Sequence, residues 1–135
     1  MIRFAVPAAL LVVACAATAA TSGQSSPGRA EARQQARLER TLAGLTPQAP
    51  QRCLRRDQFN ETRSFDGTIL YVAGRNRVYR NDVVGTCPGL RRDDLVVVKT
   101  IGGQYCRGDI VQTRARTGGM LTGSCSLGEF TPYRR

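Results

Sequence analysis

The chain has 135 residues, with 20 Lys+Arg against 10 Asp+Glu, a net charge of +10, and neither histidine nor tryptophan. That length allows one domain with a modest core, and the charge points to anionic partners. The missing histidine excludes Ser-His and Cys-His nucleophile activation, the commonest general base and the commonest zinc ligand.

Met1 to Arg3 makes a positive start, Phe4 to Ala14 is an unbroken apolar run, and small residues follow from Ala16 to Ser22. This is the layout of a secretory signal over residues 1–20. The apolar run is shorter than the roughly 20 residues that span a bilayer, so membrane attachment is expected through a lipid anchor rather than a transmembrane helix. Val12-Val13-Ala14-Cys15 resembles the lipobox of bacterial lipoproteins, in which Cys15 is acylated, whereas Ala17-Thr18-Ala19 resembles an ordinary signal-peptidase site. The expectation is a periplasmic lipoprotein held by Cys15; a soluble periplasmic or secreted protein is the alternative. Both outcomes remove Cys15 from the disulfide count. Cys53, Cys87, Cys106 and Cys125 remain, an even set in an oxidising compartment, and two disulfides are expected.

Residues 21–50 read as a tether followed by a short helix. The stretch 16–28 is rich in Ala, Thr, Ser and Gly without apolar periodicity. Arg29 to Leu45 favours helix, with Leu38, Leu42 and Leu45 at i, i+4 and i+7, and Thr46-Pro47-Gln48-Ala49-Pro50 is expected to stop it. From 51 to 135, short β-branched runs broken by Gly, Asn and Asp mark an antiparallel β domain. The expected strands are Cys53 to Gln58, Gly67 to Ala73, Arg77 to Asn81, Leu95 to Ile101, Asp109 to Thr117 and Met120 to Ser126, with hairpin turns at Gly74-Arg75-Asn76 and Gly118-Gly119. The fold class is therefore mainly β, a small antiparallel barrel or sandwich of five to six strands.

Without histidine, an enzyme would rely on carboxylates, Arg, Tyr or Ser. Asp93 and Asp94 are adjacent in what reads as a loop after Cys87-Pro88-Gly89-Leu90, and a carboxylate-dependent hydrolase acting on envelope polymers is the alternative to a non-enzymatic role. An Arg-Arg-Asp-Asp run reads more simply as a solvated turn. No cofactor or metal is expected, since the cysteines lack close C-x-x-C pairs. All basic residues except Lys99 are arginine, suited to bidentate capture of phosphate or carboxylate. Arg75, Arg77, Arg80, Arg91 and Arg92 are the candidate anionic surface, for an envelope lipid, a polymer or an acidic protein; Arg114 and Arg116 share one face of a later strand. Nucleic acid is not expected, because few aromatics stand among these arginines and the protein is exported.

Four cysteines allow three pairings. A two-residue turn at Gly118-Gly119 sets Thr117 opposite Met120 and hence Cys125 opposite Gln112. Cys106 is then about 20 Å away at roughly 3.3 Å per residue, beyond the about 7 Å a disulfide permits. Two pairings stay open: Cys87 with Cys125 and Cys53 with Cys106, or Cys53 with Cys125 and Cys87 with Cys106. From Thr68 to Tyr133, the residues Ile69-Leu70-Tyr71, Tyr79, Cys87-Pro88-Gly89-Leu90, Gly108-Asp109-Ile110 and Cys125-Ser126-Leu127-Gly128-Glu129-Phe130 resemble an uncharacterised family of small exported proteobacterial proteins. The resemblance implies a secreted or lipid-anchored protein with no assigned activity and carries over no catalytic residue. It emphasises Cys87 and Cys125, which implies that they pair and that Cys53 and Cys106 form an additional bridge.

Overall fold

A computed structural model describes residues 27–135. The expected secretory signal, Cys15 and the first part of the expected tether lie outside the described residues. Helix α1 (Pro27–Leu42) opens on a proline, where a missing N–H costs nothing. It ends three residues earlier than expected, because Gly44, at φ 74°, takes the left-handed turn that closes a helix before the prolines are reached.

Ten antiparallel strands follow, rather than five or six: β1 (Thr46–Pro47), β2 (Cys53–Arg55), β3 (Glu61–Phe65), β4 (Thr68–Val72), β5 (Arg77–Asp82), β6 (Leu95–Lys99), β7 (Gln104–Cys106), β8 (Ile110–Arg114), β9 (Leu121–Ser126) and β10 (Phe130–Arg134). A one-turn helix, α2 (Pro88–Arg91), precedes β6. The strands form a five-stranded sheet in the order β1-β10-β5-β4-β3, a pair β2-β7 and a three-stranded sheet β6-β8-β9. The mainly β, antiparallel class is as expected.

The centre of the five-stranded sheet is covered on both faces, which explains why β4, Thr-Ile-Leu-Tyr-Val, has no exposed residue. On one face Leu70, Val72 and Val78 pack with Phe65 and with Leu38 of α1, Leu42 and Tyr133 at the margin. On the other, Ile69, Tyr71, Tyr79 and Phe130 meet Leu54, Cys87, Leu90, Val111 and Leu127 from the smaller sheets and α2. Helix α1 and β1 are thus part of the domain, which among the described residues begins at 27 rather than 51. Buried Asn81 closes this core. Its Nδ2 donates to the Gly128 carbonyl at 2.9 Å and its Oδ1 accepts from the Gly128 N–H at 3.0 Å, so the segment before β10 has its backbone satisfied.

The hairpin from β4 to β5 turns at Gly74-Arg75-Asn76, pairing Val72 with Val78. The β8–β9 hairpin differs from its expected form. Its turn spans Arg116 to Gly119, with the Ala115 N–H donating to the Met120 carbonyl, and a bulge follows in β9. Cys125 consequently faces Val111 rather than Gln112. Cys106 is still five residues from that position and remains out of reach of Cys125.

The cysteines pair as Cys53–Cys106, joining β2 to β7 with Cα atoms 4.0 Å apart, and Cys87–Cys125, joining the start of α2 to β9 with Cα atoms 5.6 Å apart. Two disulfides in a domain of this size are consistent with an exported protein. No helix among the described residues is long and apolar enough to cross a membrane.

Candidate anion-binding cleft

Strand β3 is the open edge of the large sheet, and its alternation divides two recesses. Glu61 and Arg63 point to the same side as Phe65, toward α1, while Thr62 shares its face with Tyr71 across the pair with β4. On the α1 side lies a cleft of about 650 Å³. Arg37 and Arg40 of the helix line one wall, Glu61 and Arg63 the other, and Asp93 and Arg116 close one end. The guanidinium of Arg63 donates to Glu61 at 2.6 and 3.2 Å, and this bond holds the Glu61 carboxyl below the usual carboxylate range. Arg116 donates to the Asp93 carbonyl at 2.8 Å and to its carboxylate at 3.2 Å. Asp93 can face Arg116 because it adopts φ 57° after α2, a left-handed conformation that Asp tolerates better than most residues. Arg37 and Arg40 make no ion pair among the described residues.

On the other side of β3 a smaller recess of about 180 Å³ shares Thr62, Ser64, Asp93 and Arg116 with the cleft. Its lining includes Tyr71, Tyr105 and Asp94, backed by Val96 and Val98. The Tyr71 ring packs edge-on to Phe59 at 4.8 Å and against Tyr105 at 5.9 Å. Its hydroxyl is buried without a hydrogen-bond partner among the described residues. Burial, with the neighbouring Tyr105 adding to it, pushes the Tyr71 phenol far above its ordinary value. The Asp94 side chain is only 12% exposed and is met by Arg92 at 3.3 Å.

The five arginines singled out from the sequence do not form one surface. Arg80 sits on the α1 side of β5, bonded to Asp82 at 3.0 Å. Arg91 lies 3.9 Å from Asp66, and Arg92 is committed to Asp94. Arg75 and Arg77 are at the opposite end of β5 from the β3–β4 turn that carries Asp66. Among the described residues they make no ion pair. Arg114 turns to Gln112 and the Gly119 carbonyl, apart from Arg116.

The cleft residues that sequence reading missed are Arg37, Arg40 and Arg63. Arg33, Arg37 and Arg40 recur at helical spacing, so a basic face was readable. Arg63 lies in a polar strand, Glu-Thr-Arg-Ser-Phe, that shows no apolar alternation. Compared with known proteins, the chain matches no family model, no curated protein and no solved structure.

Proposed function

We propose that this is a non-enzymatic, exported envelope protein, anchored through Cys15, that binds an anionic envelope component in the cleft between α1 and β3. What carries the reading is that Arg37 and Arg40, without an ion pair among the described residues, stand opposite Arg63 and Arg116, whose carboxylate partners leave the cleft with more arginines than acids. Guanidinium groups held on a helix and a strand suit phosphate or carboxylate oxygens on an extended ligand. The hydrolase alternative has less support. Asp93 and Asp94 do border the inner recess, but each carboxylate already has an arginine partner.

The test uses a soluble phosphorylated oligosaccharide without acyl chains, titrated by calorimetry. Its affinity is expected to fall at least tenfold between about 0.05 and 0.5 M salt, and at least tenfold in Arg37→Ala/Arg40→Ala. Arg75→Ala/Arg77→Ala should change it less than twofold. The opposite order of the two double variants would move the site to the β4–β5 turn and overturn the cleft. Cleavage of the probe, lost in Asp94→Asn, would overturn the non-enzymatic reading.

A further inference from the structure

A sheet face open to solvent is ordinarily polar. The outward face of the β6-β8-β9 sheet instead mixes large aliphatic side chains with its polar ones. Val96, Val98, Val111 and Cys125 pack inward on the core, so the alternate residues point out. The register sets Leu95, Arg114 and Leu121 in one row, Val97, Gln112 and Ser124 in the next, and Lys99, Ile110 and Ser126 in the third, with Val84 bridged to Ser126 at the margin. Of these, Val84, Leu95, Val97, Ile110 and Leu121 are all exposed. The other exposed large apolar side chains among the described residues are Ile101, wholly exposed, and Met120, 72% exposed. They occupy the loop that leaves β6 and the loop that enters β9. The exposed aliphatic surface is therefore gathered on one sheet and the loops at its two ends, a segregation that marks an interaction surface.

The charge on that face has one sign. Lys99 and Arg114 lie on it, and its three rows hold no carboxylate. We propose that this face docks on a bilayer surface that contains anionic lipid. The aliphatic side chains would enter the boundary between headgroups and acyl chains, while Lys99 and Arg114 meet lipid phosphates. A second copy fits less well, because two such faces would bring cations together with no carboxylate to pair them. The surface is distinct from the proposed cleft, whose arginines come from α1, β3 and the β8–β9 turn.

The protein is exported and purified with Cys15→Ser, so that no acyl chain contributes, and is sedimented with vesicles of phosphatidylglycerol and phosphatidylcholine or of phosphatidylcholine alone. Binding to the anionic vesicles is expected to be at least tenfold tighter. Val97→Thr/Leu121→Thr, which puts a β-branched, strand-favouring residue at both positions, should weaken it at least tenfold, and Lys99→Gln/Arg114→Gln should remove the preference for anionic lipid. Arg75→Ala/Arg77→Ala, which lies in neither surface, should stay within twofold of the parent. A loss of vesicle binding in Arg37→Ala/Arg40→Ala that matches or exceeds that of the face variants would assign the lipid to the cleft and overturn the proposal. Vesicle binding unchanged in the face variants would overturn the proposal. So would a dimer in sedimentation equilibrium that the face variants convert to monomer.

Discussion

Tyr71 shows how a single residue can couple core and site. Its ring is part of the main core and the residue lines the inner recess, yet its buried hydroxyl has no hydrogen-bond partner among the described residues. A buried hydroxyl without a partner contributes nothing favourable to folding. Tyr71→Phe should therefore leave stability at neutral pH unchanged or slightly raised. Alkaline pH should separate the two proteins. The unfolded chain gives up the Tyr71 proton near pH 10, while burial keeps it on the folded chain to higher pH. Above about pH 10 the folded state binds more protons than the unfolded state, so this contribution, complete below that pH, is lost as pH rises. Urea midpoints at pH 7 and at about pH 10.5 should show the parent losing more stability than Tyr71→Phe. Equal losses would mean that the phenol is not held protonated by the fold.

Among the elements, the two-stranded sheet depends most on its covalent link. Strands β2 and β7 have three residues each and pair Cys53 directly with Cys106. So short a ribbon is not stable alone. Leu54, fully buried between the two cysteine-bearing strands and the large sheet, is its chief apolar anchor. Closing a loop with a sequence separation of 53 residues is worth about 4 kcal/mol in the chain-entropy model. Cys53→Ala/Cys106→Ala should lose about that much in chemical denaturation and increase hydrogen exchange in β2 and β7 before β4 and β5. Uniform exchange across all strands would show that the bridge does not act locally. The Cys87–Cys125 bridge has another role, holding α2, and with it the turn that carries Asp93 and Asp94, against β9. Gly89 and Gly123 allow that contact, since a Cβ at either would collide with Thr113.

For the whole molecule, the decisive pairing is between chain segments far apart in sequence. Strand β10 lies inside the large sheet, between β1 and β5, so that Thr46 pairs with Arg134 and Phe130 with Asn81. Its proline would ordinarily bar a central strand. Pro132 is tolerated because its carbonyl faces β1, accepting from the Gln48 N–H, so its missing N–H faces the same two-residue edge strand rather than β5. Deleting residues 130–135 should leave no cooperative unfolding transition, because it removes fully buried Phe130 from the core and strands β5 at an unpaired edge. A truncated protein that unfolds cooperatively with both disulfides formed would show that the smaller sheets suffice. Because such distant segments must meet before the sheet closes, folding is expected to be slow for a domain of this size.

The local patterns in the sequence determined the antiparallel β class, the hairpin at Gly74-Arg75-Asn76, the helix with Leu38 on its buried side and an even set of cysteines beyond residue 20. Each depends on residues close together in the chain, where periodicity and turn chemistry act directly. Strands β1, β3, β7 and β10 were not readable, being short, polar or interrupted by proline and stabilised by partners far along the sequence. The candidate site was half readable for the same reason. Asp93 and Asp94 stood out as charged residues in an expected loop and Arg116 on one face of an expected strand, whereas Arg37, Arg40 and Arg63 become neighbours only when α1 is laid over the edge of the large sheet. Charge composition names the kind of partner, but long-range packing alone decides which arginines share a cleft and which are neutralised by a carboxylate beside them.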